Sequence, residues 1–347
     1  MSIITLSYAV LITFVVLVIL ASYMMLDAYQ YQKKMRRIAR YIDTYKAQCY
    51  DYFIEADATQ KVVPQNKEQK EAIEHTIENY IAFVKDDVVL NRIYRYAEEQ
   101  YADDYRKMLN GYSTPKRINV LSRIFNFKMT SLLPDVKRLL ARRHLVRRER
   151  MEGLKIIASL DEMSAYEFYK TYKEELHEGE IDTIVSCMSD DMIYQIVDVA
   201  HEDDNWLLAA LKSMERRQLP QGEASINRLL KHPNRAIQLQ AVKILTIIGT
   251  VKPISYFESL FLSEDPAERE LFAQMASHYP IQETYPYMYT LAQDRVFEVR
   301  VQAVKALTYY ANHQSIFRHM LKSLKDNYAK DTIKAYMSGE MVNDAVN

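Results

Sequence analysis

Residues Ile3 to Leu26 contain no charged side chain, and the eleven residues that follow carry Lys33, Lys34, Arg36 and Arg37. This junction constrains the chain more than any other feature. The 24 residues of the run form, at about 1.5 Å of rise each, a helix of about 36 Å, enough to cross a hydrocarbon core of about 30 Å. Ile3, Leu6, Val10, Leu11, Phe14, Val15, Leu17 and Ile19 supply lipid solubility. Thr5, Ser7, Thr13 and Ser22 are tolerated because a helix lets short hydroxyls bond back to its own carbonyls. Tyr8 near one end and Tyr23, Tyr29 and Tyr31 near the other suit the two membrane interfaces. A cleaved signal peptide is the rival reading. Against it stand the missing basic n-region, the length of the run and the lack of a small-x-small cleavage pattern.

Orientation follows from charge. No Lys or Arg precedes the run, whereas Lys33, Lys34, Arg36, Arg37 and Arg40 follow it. The positive-inside rule predicts a single-pass anchor in the inner membrane, N-terminus out and C-terminal body cytoplasmic. The two cysteines, Cys49 and Cys187, make no framework that a secreted domain would use.

Glycine decides the fold class. The chain has 6 in 347 residues, where average usage of about 7% would give roughly 24. Hairpins and βα turns need glycine, so the expected fold is all-α: one transmembrane helix followed by a helical-hairpin solenoid. The expected organisation is an anchor over 1–26, a juxtamembrane helix over 27–60, an irregular helical region over 61–160, and helical repeats over 161–347, clearest at 220–340. Met35, Ile38, Ile42, Tyr45, Cys49 and Phe53 form an apolar stripe on the juxtamembrane helix. Asn66 with Gln69 resembles a capping box. Asn110-Gly111 is a stop signal, Pro115 and Pro134 are starts, and Asp161, Ser164 and Asp204 are later cap candidates. The 27 tyrosines are expected to pack on helix faces with their hydroxyls in water.

The last third repeats itself. Gln240-Ala241-Val242-Lys243 recurs as Gln302-Ala303-Val304-Lys305, and Ala241, Ala273, Ala303 and Ala335 are spaced 32, 30 and 32 residues apart. A turn-type or polar residue precedes each: His232, Asp265, Asp294 and Asp326. A period near 31 with helix–turn–helix content marks an α-solenoid, and a small residue lets successive layers approach closely. Ile237, Ala241, Ile244, Leu245 and Ile248 define one buried stripe. The stretch Asp294-Arg295-Val296-Phe297-Glu298-Val299-Arg300-Val301-Gln302-Ala303-Val304-Lys305-Ala306-Leu307 resembles the second helix of HEAT-like repeats. The copy from His232 to Leu245 departs from it, with His in place of Asp and Gln238 in place of the arginine. HEAT-like solenoids are scaffolds, so the resemblance implies a binding surface and no catalytic residue.

Near-zero net charge hides an asymmetry. Residues 115–150 hold 11 Lys or Arg against Asp135 and Glu149, whereas residues 151–220 hold 16 acids against 6 bases. Arg138, Arg142, Arg143, Arg147, Arg148 and Arg150 are the candidate contacts for an anionic surface or an acidic partner. The bland alternative pairs the basic and acidic stretches as neighbouring helical layers. Stacking aromatics do not interleave with the basic residues, which argues against nucleic acid. The nucleotide, hydrolase and zinc motifs are missing, and His201-Glu202-Asp203-Asp204 reads as an acidic helix start. The expected function is therefore a membrane-anchored cytoplasmic scaffold without a cofactor. Its partner would be a protein, itself membrane-associated, such as an envelope synthase or transporter. The alternative is an enzyme or sensor that takes a phosphorylated ligand through the basic cluster.

Overall fold

The computed structural model describes residues 3–339 except 58, 60, 143 and 221. The last part of the expected repeat region, 340–347, and the candidate contact Arg143 lie outside the described residues. All regular structure among the described residues is helical, with no strand. The chain divides into two compact units, Met1–Leu160 and Asp161–Asn347.

The first unit contains α1 (Ile3–Phe53), α2 (Lys67–Phe83), α3 (Asp87–Leu109), α4 (Thr114–Asn126), α5 (Leu133–Leu140) and α6 (Arg147–Leu160). The expected anchor and the expected juxtamembrane helix are one uninterrupted helix, which ends at Phe53. Ile38, Cys49 and Phe53 of the expected stripe are buried, while Met35 at the end nearest the apolar run stays exposed. The stripe packs on α2 through Ile73 and Ile77, and α3 closes the core with Ile93 and Tyr96. Asn66 caps α2 by accepting the Gln69 N–H at 2.9 Å. The reciprocal arm of the box reaches one residue further back, Gln69 accepting from the Gln65 N–H at 2.8 Å.

The tyrosine hydroxyls depart from expectation. Tyr96 donates to the Val62 carbonyl at 2.8 Å and Tyr101 to the Lys70 carbonyl at 3.0 Å. Tyr105 donates to the Glu74 carboxylate. All three are buried, and a buried hydroxyl without a partner would cost about 1–3 kcal/mol. They face inward because α3 lies against chain some 30 residues earlier that presents an acceptor to each.

The second unit contains α7 (Glu162–Tyr172), α8 (Glu178–Val185), α9 (Asp190–Asp198), α10 (Asp204–Arg216), α11 (Glu223–Leu229), α12 (Arg235–Ile248) and α13 (Glu258–Phe261). It continues with α14 (Pro266–Ala276), α15 (Ile281–Leu291), α16 (Phe297–Leu307), α17 (His313–Ser323) and α18 (Asn327–Ser338). The even-numbered helices α8 to α18 pack in sequence, each on the next, an arrangement compatible with a solenoid. Ala241, Ala273 and Ala303 are fully buried on the contacting faces; Ala335 is half-buried at the end of the row.

A hydrogen-bond register underlies this row. His201, His232, Ser263 and Asp294 stand 31 residues apart. Each accepts the backbone N–H two residues on, at 3.1, 3.2, 3.1 and 2.9 Å. Asp203, Asn234 and Asp265 then cap α10, α12 and α14. One expected cap therefore moves, Asp203 replacing Asp204, while the turn residue His232 stands two residues before the cap Asn234. Ser164 is no cap and lies inside α7, and Asp161 precedes α7 without a side-chain capping bond. Further along, Gln238 donates to the His232 carbonyl at 2.6 Å, Arg269 to Ser263 at 2.8 Å and Arg300 to Asp294 at 2.7 Å. Gln238, the departure from the HEAT-like pattern, thus makes the same bond as the arginines.

Candidate functional site

A groove of about 990 Å³ opens in the first unit. It forms where the start of α2, the end of α3 and the start of α4 meet, and Lys34 of α1 completes the wall. Local sequence places the cations. The Asn66 cap makes Lys67 the first residue of α2. Asn110 ends α3 just after Lys107, and Pro115 starts α4 just before Lys116. Glu74, Tyr105 and Arg123 sit at the floor, Glu74 and Tyr105 buried.

Each acid in the lining has its own cation. Glu71 pairs with Lys34 at 2.6 Å, Glu68 with Arg37 at 2.8 Å and Asp104 with Lys70 at 2.5 Å. Arg123 lies 3.1 Å from Glu74 and 3.7 Å from Glu78. Burial pushes the Glu74 carboxyl up to about 7, against the pull of the Arg123 guanidinium. The Lys70 ammonium holds Asp104 below the usual carboxylate range. Lys67, Lys107 and Lys116 are exposed and make no ion pair among the described residues; Lys67 and Lys107 act on Asp104 only at longer range, so the groove carries an excess of positive charge.

The arginines singled out from the sequence lie elsewhere. Arg138 on α5 is bonded to Asp135 at 3.0 Å. Arg142 approaches the Asn110 side chain at 3.4 Å. Arg147 and Arg148 are exposed on the first turn of α6, and Arg150 there is half-buried. None of these five lines the groove. Other members of the basic stretch are structural. Arg117 pairs with the buried Glu149 at 2.6 Å and donates to the Gly111 carbonyl at 2.7 Å, tying α4 to α6. Within the second unit, Lys212 pairs with Asp182 at 3.3 Å, and Arg217 donates to the Ser186 and Met188 carbonyls at 2.8 Å. Arg117, Arg123 and Arg138 of the basic stretch thus pair with acids of their own unit, as do Lys212 and Arg217 of the acidic stretch.

The groove escaped the sequence because its cations are spread from Lys34 to Arg123 and form no motif. The one available signal was that Lys67, Lys107 and Lys116 each sit beside a helix-end punctuator. No protein-family model matches the chain, and no curated protein matches it in sequence.

Proposed function

We propose that the chain is a single-pass, membrane-anchored adaptor whose helical repeats hold a protein partner at the cytoplasmic face of the inner membrane. The observation that carries this reading is α1. From Leu11 to Leu26 every side chain is exposed, on all faces of a helix long and apolar enough to span a membrane. Exposed apolar surface costs about 25 cal/mol per Å² in water, and lipid removes that cost. The basic residues that follow favour an N-out, C-in orientation.

Support for the adaptor role comes from the 31-residue register of the second unit, which fits HEAT-like repeats and their use as binding surfaces. A membrane-confined partner suits a tethered protein, because tethering raises effective concentration only for something held nearby. A membrane-embedded synthase or transporter of envelope material has that property. No reaction is assigned to the chain in this reading.

The test is affinity purification from membranes in mild detergent, with the full chain and with a version lacking residues 1–26. One stoichiometric membrane protein recovered with both versions is the expected result. Recovery of no stoichiometric protein with either would overturn the adaptor role. A second reading, a sensor of an anionic ligand, is favoured by the excess positive charge of the groove.

A further inference from the structure

We propose that the groove of the first unit binds the phosphate headgroup of an anionic membrane lipid, with Lys67, Lys107 and Lys116 as its ligands. The assignment rests on the reading of α1 as a membrane anchor. The four acids of the lining are each held by a cation: Glu68 by Arg37, Glu71 by Lys34, Glu74 by Arg123 and Asp104 by Lys70. What remains is three exposed ammonium groups around one cavity, drawn from three different helices. Lys67 and Lys107 share the field of Asp104, which Lys70 already pairs, so the cations exceed the acids and repel one another, and a phosphate between them relieves that repulsion while accepting their N–H bonds.

Height and wall chemistry select a lipid over a free phosphate compound. Lys34 lies eight residues beyond Leu26 on the same uninterrupted helix. That is about 12 Å of rise, beyond a headgroup layer about 6 Å deep but within the reach of a lysine side chain bent back towards it. Beside the lysines stand Met108, 41% exposed, and the fully exposed Tyr112, giving the groove an apolar flank. An amphipathic ligand uses both surfaces, and a tyrosine ring is at home at a membrane interface.

The experiment is native mass spectrometry of the full chain, released from mild detergent, delipidated and titrated with phosphatidic acid. Saturation at one lipid per chain is expected. The combined variant Lys67→Gln, Lys107→Gln, Lys116→Gln, with its thermal unfolding midpoint within a few degrees of the parent, should bind roughly a hundredfold more weakly. The variant Lys33→Gln, Arg36→Gln, Arg40→Gln, which changes exposed cations of α1 outside the groove, should bind as the parent does. Equal weakening in both variants, or none in the groove variant, overturns the site. Displacement of the lipid by equimolar glycerol 3-phosphate overturns the lipid as ligand in favour of a free phosphate compound. Alkaline carbonate extraction of membranes separates this proposal from the anchor. A chain released into the supernatant overturns the anchor, and the headgroup assignment with it. A chain that stays in the membrane but retains no lipid overturns the groove assignment alone.

Discussion

Glu74 sets a pH dependence that can be read from its neighbours. On its own helix it faces Glu71, His75 and Glu78; α3 adds Tyr101 and Tyr105, and α4 adds Arg123. Burial outweighs Arg123 and raises the carboxyl from 4.5 to about 7. Between those values the folded chain binds more protons than the unfolded one, so stability falls as pH rises through the window, by up to about 3 kcal/mol. Glu74→Gln keeps an acceptor for Tyr105 and removes the titration. Its melting temperature is expected to vary less than the parent's between pH 5 and pH 8, as followed by circular dichroism. Asp294 has the opposite sign. Burial alone would raise it, but the Arg269 guanidinium, at 2.7 and 2.9 Å, holds it below the usual range. Its contribution is present above the ordinary carboxylate range and is lost as pH falls through the lowered value. Arg269→Met leaves Asp294 buried without its cation and is expected to cost about 3–5 kcal/mol in denaturant unfolding.

At the scale of elements, the low glycine content has a consequence at helix ends. Lys128, Ala200 and Gln218 follow the ends of α4, α9 and α10 with φ of 48°, 47° and 52°. The next N–H after each reaches back into the helix: Met129 to Ile124 at 3.1 Å, His201 to Ile196 at 3.2 Å and Leu219 to Met214 at 3.1 Å. This is a Schellman closure without its usual glycine. Left-handed backbone costs a non-glycine residue about 1–2 kcal/mol. Ala200→Gly, after its larger unfolded-state entropy, should stabilise by about 0.5–1 kcal/mol, read as a higher urea midpoint at unchanged slope. Glycine scarcity therefore pointed to helices, and the starts at Asn66, Pro115 and Pro134 and the stop at Asn110 were legible from local chemistry. The cap that moved from Asp204 to Asp203, and the register of His201, His232, Ser263 and Asp294, were not. Any acceptor can take the same N–H, so the bond repeats while the residue name does not. The inward tyrosines and the groove depend on chain about 30 residues away, which no local pattern reports.

At the scale of the molecule, sidedness and anchoring are the properties to measure. With Ser2→Cys, an impermeant maleimide is expected to label the chain on intact cells. Tyr112→Cys, at a fully exposed position, should react only after permeabilisation; Cys49 is buried and Cys187 half-buried, so their background is low. Labelling of Tyr112→Cys on intact cells would reverse the orientation. The continuity of α1 has a further consequence. From Leu26 to Phe53 the helix runs about 40 Å without a break, and its far half is packed into the core of the first unit. There is no hinge in it to absorb a change of tilt. If the span leans by about 20° to match a thicker or thinner bilayer, the far end of that mast swings sideways by more than a helix diameter, so bilayer thickness becomes a mechanical input to where the first unit is presented.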